Sequence, residues 1–299
     1  MGLAPCMESD TDTEKENGNK NPETDRNMMQ SEKNTLADIL GIQTEDGNEK
    51  PPPLPFSHKK FLRNLPPVPI LKGKKYRKYP ALWLHKSNVD TNILESFRTL
   101  KNKIVTMGGK NELKIIQLTG VERKVGTSTI AANLATIMAR DMPEKMILLV
   151  DTSVLNPCLH LCFCLDQNPG LMSYLLKKCS LNDIIRNTFL PNLEIVTFSM
   201  IDRTVSSPFD QATFPRFLTR IRQYYDYILL DSGPVLRSSH SRIISSIADG
   251  VLVVAEANRT RFEVTNKAID QLKDDNAFLI GSFLNKRRFV IPNWIYRFT

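Results

Sequence analysis

Nowhere in this chain do apolar residues run on for the roughly 18 positions that a membrane-crossing helix needs. Its polar start, which carries Met, Asp and Glu, also lacks the basic-then-apolar plan of a secretory leader. The expectation is a soluble, cytoplasmic protein. Cysteine is scarce, five residues in 299. Three of the five, Cys158, Cys162 and Cys164, are close together but have no second, distant ligand pair at zinc spacing. Reduced, half-buried thiols are the expected state, with a metal site as the alternative. No internal repeat is present. Residues 51–80 contain no acid at all, against eight Lys or Arg, whereas residues 1–50 are net acidic and poor in aromatics. The overall charge of +8 conceals that division.

The composition shifts imply three parts. Residues 1–50 read as a disordered acidic tail, with Thr35–Ile42 as its one candidate amphipathic helix. Residues 51–89 read as a proline-stiffened basic linker, either a solvated tether or a segment drawn to anionic lipid or an acidic partner. No motif that reads DNA or RNA accompanies the charge, so nucleic acid is not an expected partner. Residues 90–299 alternate between helical and strand patterns. Helices are predicted at 91–105, 128–140, 171–177, 181–187, 214–224, 241–248 and 261–273. Strands are predicted at 114–118, 146–150, 193–198, 227–230, 250–256 and 279–284. Continuous apolar runs such as Met146–Val150 suit strands buried on both faces. The fold class is therefore α/β, a doubly wound and mostly parallel sheet, with ligands at the carboxyl ends of the strands.

Within that frame, residues 118–135 (LTGVERKVGTSTIAANLA) have the strand–loop–helix order of a phosphate cradle. Glycine lets backbone N–H groups approach an anion, the helix N-terminus favours negative charge, and a hydroxyl can reach a metal. Gly120, Gly126, Thr127, Ser128 and Thr129 are the candidate binding residues. The lysine that normally follows the last glycine is replaced by Thr127. Arg123 and Lys124, inside the loop, are candidates for a substitute cation. Asp151 directly follows one apolar strand and Asp231 another, where acids hold Mg²⁺ or its waters. Each could equally be a strand-end acid that caps the next turn. With Ser128, they form the candidate metal set.

The order of these pieces resembles the bacterial tyrosine kinase family, whose members regulate capsule and exopolysaccharide synthesis. The resemblance spans about residues 90–299. ESFRTLKNKI (95–104) is similar to the family's oligomerisation helix, carried here as Glu95, Arg98 and Lys101. GVERKVGTST stands at the first phosphate motif, ILLVDTSVLNP at the deviant second Walker motif, and YDYILLDSGPV at Walker B. The continuations HLCFCLDQNPGLMSYLL and ADGVLVVAEANRT also follow the pattern, the first accounting for the cysteines as packing. The resemblance implies a P-loop NTPase fold of the deviant Walker group, shared with partition and cell-division ATPases. It also implies ATP and Mg²⁺ as cofactors, self-association, and a membrane polysaccharide co-polymerase as partner at the inner face of the plasma membrane.

The chain departs from the family where the chemistry sits. Besides Thr127, Ser153 replaces the second acid of the deviant motif and Leu155 the Arg that follows it. His240 replaces a later acid, Gly233-Pro234 stands for paired prolines, and the tail has Tyr296 but no tyrosine cluster. Removing one preorganised stabilising group commonly costs ~10²–10³ in rate. The expectation is a kinase-like regulator with weak or lost catalysis. An active tyrosine kinase of the same family is the alternative, and a partition-type ATPase a third reading. Residues 286–299 interleave cations with aromatics, as a segment folded back on the domain or one docking to a partner or an anionic bilayer.

Overall fold

The computed structural model describes residues 91–199, Phe209 and residues 212–287, without the side chains of 110 and 111. The acidic segment 1–50 with its candidate helix, the linker 51–89 and residues 288–299 lie outside the described residues. Among the described residues, no helix is long and apolar enough to cross a membrane.

Helix α1 (Thr91–Asn111) precedes strand β1 (Ile115–Gly120), then α2 (Thr127–Asp141) and β2 (Ile147–Asp151). Three short helices, α3 (Leu159–Phe163), α4 (Leu171–Leu175) and α5 (Leu181–Ile184), lead to β3 (Ile185–Asn187) and β4 (Leu193–Val196). The rest comprises α6 (Thr213–Arg222), β5 (Tyr227–Ser232), α7 (Ser239–Ile247), β6 (Gly250–Glu256), α8 (Phe262–Asp274) and β7 (Leu279–Asn285). The seven strands form one sheet in the order β3-β4-β2-β5-β1-β6-β7. All neighbours are parallel except β3 and β4.

Period-2 alternation divides the core between the two faces. Ile116 and Leu118 of β1, Ile147 and Leu149 of β2 and Leu229 of β5 pack with α1, α2 and α3. Ile115, Leu148, Val150, Ile228 and Leu230 pack with α4 to α7 on the opposite face. Val251 and Val253 of β6 meet Ala268 and Leu272 of α8. The doubly wound architecture read from the sequence is the one observed. On α1, Phe97, Leu100 and Ile104 are buried and Ile93 packs against them, as the helical spacing predicts.

Two expectations need correction. The helix predicted over 181–187 stops at Ile184, and Ile185–Asn187 turns into an antiparallel edge strand on β4. Three residues are too few for the period to distinguish strand from helix. The α3 helix was not anticipated. It is held from below by a side chain, Asp151, whose bonds to its start are described next.

Candidate functional site

β1, β2 and β5 end at Gly120, Asp151 and Ser232, so their carboxyl ends lie along one edge of the parallel sheet. The loop after β1 folds back tightly over its own start. A β-carbon on Gly120 would lie 2.8 Å from Thr127 Oγ1 and 2.9 Å from the Glu122 carbonyl, so only glycine fits there. Gly126, at φ 93°, takes the left-handed conformation that glycine adopts without strain, and immediately precedes α2. No side chain caps α2, and its first turn carries no acid. The N-terminal amides and the positive end of a 15-residue helix are thus left to an anion.

Thr127 turns its hydroxyl back toward Gly120. Arg123 and Lys124 are exposed on the loop, and Lys124 is itself left-handed at φ 65°. Thr129 is half-buried, and its carbonyl accepts a hydrogen bond from Asn133 Nδ2 at 2.7 Å.

Asp151 and Asp231 are register partners on adjacent strands. By alternation they share the sheet face of Leu149 and Leu229, the face covered by α2. Both are fully buried, yet their surroundings differ. The Asp151 carboxylate accepts backbone N–H bonds from Ser153 at 3.0 Å and from Cys158 and Leu159 at 3.1 Å each. It is the cap of the following turn and of α3. Among the described residues neither oxygen of Asp231 has a hydrogen-bond partner at normal geometry, with the Ser128 hydroxyl close enough only to act weakly on it. Its backbone is fixed all the same, because Thr152 N–H and Thr152 Oγ both donate to the Asp231 carbonyl, at 2.9 and 2.8 Å. Asp151 thus caps the following turn and α3, whereas the Asp231 carboxyl caps nothing among the described residues.

Burial drives both acids upward. Asp151 rises to about 7, its three backbone donors opposing the shift. Asp231 is raised well above the carboxylate range, first by burial and then by the charge of Asp151, with the Ser128 hydroxyl pulling weakly the other way. A cation beside them would reverse that balance. The Cys158 thiol is lowered by its hydrogen bond with Cys162, which is raised in turn. Of the three clustered cysteines Cys162 is buried, Cys158 half-buried and Cys164 exposed, so packing accounts for the first more than for the others.

The resident residues fit a nucleotide polyphosphate with Mg²⁺ in the parts that bind. The uncapped helix start, the glycine-shaped loop, Ser128 and the unpartnered Asp231 would hold it. When bound, the cation would screen phosphate charge and polarise the phosphoryl group. The positions at which the sequence departs from the family pattern carry neither an acid nor an arginine. Ser153 is a nearly buried hydroxyl, Leu155 an apolar side chain 55% exposed, and the His240 ring packs against Phe209 at 5.5 Å between centroids.

The expected oligomerisation residues lie on α1. Arg98 donates to Glu95 at 3.0 Å, and Lys101 to Asp141 of α2 at 2.6 Å. Both cations are thus engaged within the chain, with Glu95 65% exposed.

Two contacts were not foreseen. Asn285 Nδ2, at the end of β7, donates to the Val125 carbonyl at 2.7 Å, and Lys286 Nζ donates to the Lys124 carbonyl at 2.9 Å. Lys286, the first residue of the segment 286–299, follows β7 directly and lies on the loop, as a segment folded back on the domain would place it; the rest of that segment is outside the described residues. The apolar strand ending in Asn285 was the available signal.

The profile of a family described as an AAA domain matches residues 113–275. Tyrosine-protein kinase YwqD of Bacillus subtilis is 27% identical over 194 residues, 65% of this chain and 81% of that protein. Tyrosine-protein kinase ptk of Acinetobacter johnsonii is 28% identical over 218 residues, 73% of this chain but only 29% of that protein. Among solved structures, the chimerical protein CapA2B2 superposes with a TM-score of 0.65 at 25% identity. It covers 71% of this chain, which spans 92% of CapA2B2.

Proposed function

We propose, from the premise that this chain belongs to the AAA domain family, that it is a tyrosine-kinase-like regulatory component of exopolysaccharide or capsule synthesis. It binds ATP with Mg²⁺ at the Gly120–Ser128 loop and transfers phosphate slowly or not at all. Relatives named tyrosine-protein kinases support the first half of this reading. The single observation that carries the second half is the contrast at the site. A cradle built for an anion opens beside the unpartnered Asp231, while Thr127 and Ser153 stand where a cation and a second acid would act.

Phosphoryl transfer depends on positioning and on stabilising dispersed negative charge. Each preorganised group lost costs ~10²–10³ in rate. In this chain Gly126 and the α2 amides orient and hold the phosphates, Ser128 and Asp231 hold the cation, and Asp151 keeps the base of the site rigid. No side chain at position 127 neutralises the charge of the outer phosphates.

The chain works as an adaptor in this account. Glu95, Arg98 and Lys101 contribute to self-association, and the partner is a membrane polysaccharide co-polymerase at the inner face of the plasma membrane. The basic segment 51–89 and the residues after Lys286 favour an anionic membrane surface there. The retained pair of strand-end acids supports a second reading, an active kinase of the same family.

Isothermal titration of the full chain with ATP–Mg²⁺ tests the binding half. Saturable binding that requires Mg²⁺ and is lost in Asp231→Ala upholds it. Absence of binding by the wild-type chain overturns it.

A further inference from the structure

The loop between Gly120 and Gly126 is gripped from outside by the end of a strand about 160 residues further along. Consecutive carbonyls, those of Lys124 and Val125, accept from consecutive side chains, Lys286 and Asn285. The grip is itself fixed. Asn285 Oδ1 accepts the N–H of Lys286 at 2.8 Å, which leaves Nδ2 as the group facing the loop. The Asn285 backbone carbonyl accepts from Ala257 at 2.9 Å. The Lys286 ammonium pairs with Glu256 at 3.0 Å, and Glu256 also pairs with Arg259 at 3.0 Å. Asn285 is nearly buried and packs so closely on Gly126 that a β-carbon there would collide with its Nδ2.

A trans peptide is planar, so its N–H points opposite to its C=O. Holding the Lys124 carbonyl toward β7 turns the Val125 N–H away from β7, and holding the Val125 carbonyl does the same for the Gly126 N–H. Neither N–H has a backbone acceptor among the described residues. Lys124 at φ 65° and Gly126 at φ 93° put two left-handed residues around Val125, a conformation that needs outside support at the lysine.

We propose that Asn285 and Lys286 are positioning residues for polyphosphate. They act as a two-toothed clamp that holds the loop carbonyls outward so that the Val125 and Gly126 amides stay aimed at the anion. This rests on the reading of the loop as a phosphate cradle. The clamp supplies by preorganisation part of the binding that an absent lysine would have supplied by charge. Lys286 contributes through the loop backbone and need not touch the ligand.

The test uses the full chain and the variants Asn285→Ala, Lys286→Met and Lys286→Arg. ATP–Mg²⁺ affinity is measured by titration, and the backbone order parameters of Val125 and Gly126 are measured by ¹⁵N relaxation without nucleotide. Losing a hydrogen bond from a preorganised site, neutral at Asn285 and charge-assisted at Lys286, predicts about tenfold weaker binding in Asn285→Ala and Lys286→Met. Lower order parameters at Val125 and Gly126 accompany it, and Lys286→Arg restores both. Lys286 is half-exposed, so its variants report even if Asn285→Ala fails to fold. Wild-type binding with equal affinity and unchanged order parameters in Lys286→Met overturns the clamp. If the wild-type chain binds no ATP, the reading of the loop as a phosphate cradle fails, and the positioning role is overturned with it.

Discussion

Asp151 and Asp231 sit side by side at the ends of neighbouring parallel strands, and the backbone serves one of them and ignores the other. Parallel strands lie about 4.8 Å apart, so two buried carboxylates at that spacing oppose one another's ionisation. Three N–H donors hold Asp151 in place. No backbone N–H among the described residues does so for the Asp231 carboxyl.

Opposite outcomes are expected from two isosteric changes. Asp151→Asn sets an amide group against three backbone donors and lowers unfolding free energy by about 1–3 kcal/mol. Asp231→Asn removes an acid that burial and Asp151 keep from ionising, so the cost of protonating it on folding is relieved and stability in chelator rises, while the stabilisation conferred by ATP–Mg²⁺ disappears. Urea titrations with and without ATP–Mg²⁺ separate the two, and matching losses in both variants would contradict the account.

Gly126 is held by two constraints, a left-handed φ of 93° and the side chain of Asn285. Gly126→Ala should cost at least about 1–2 kcal/mol from the backbone conformation alone. A larger fall in nucleotide affinity than in stability is expected, because the misplaced peptide is one that faces phosphate. Thermal melts paired with titration measure both.

Much of this arrangement was legible in the sequence, and the illegible part follows a pattern. Strand periodicity, the glycine loop and acids after apolar runs are local signals, and they located the sheet and the places of the loop, Asp151 and Asp231 at its carboxyl edge. Asn285 and Lys286 reach the loop across about 160 residues, and no local pattern encodes that pairing. Asn192 is a second case. Its buried amide donates to the carbonyls of Ala139, Met142 and Lys145 and ties the end of α2 to the start of β2. Likewise, which acid is capped depended on α3, a five-residue helix too short to show a period.

Tyr225, buried before β5, donates its hydroxyl to the buried carboxylate of Glu194 on β4. Tyr225→Phe leaves that acid without the tyrosine and should cost about 1–3 kcal/mol at neutral pH. Burial, and then Glu194, raise the Tyr225 phenol above its usual value. A raised folded-state pKa gives stability that is complete below pH 10, the ordinary phenol value, and is lost as pH climbs toward the folded one. Alkaline unfolding should therefore flatten in the phenylalanine variant when melts are compared between pH 8 and 11.

Lys101 and Asp141 bridge α1 and α2 at 2.6 Å with both side chains partly screened from solvent. Such a bridge contributes less than about 1 kcal/mol. Lys101→Ala should therefore leave thermal stability nearly unchanged. If α1 mediates self-association, Lys101→Ala combined with Glu95→Ala should lower the oligomeric mass in sedimentation without unfolding the chain. Unchanged mass would remove α1 from that role.

The most direct test of the central claim is a time course of tyrosine phosphorylation on the purified full chain at saturating ATP–Mg²⁺, run beside the Bacillus subtilis relative. With Thr127 and Ser153 in place of a cation and an acid, the expected rate is lower by at least ~10²–10³, with binding retained. Labelling at a rate comparable to that of the relative would contradict the account and identify the chain as a working kinase.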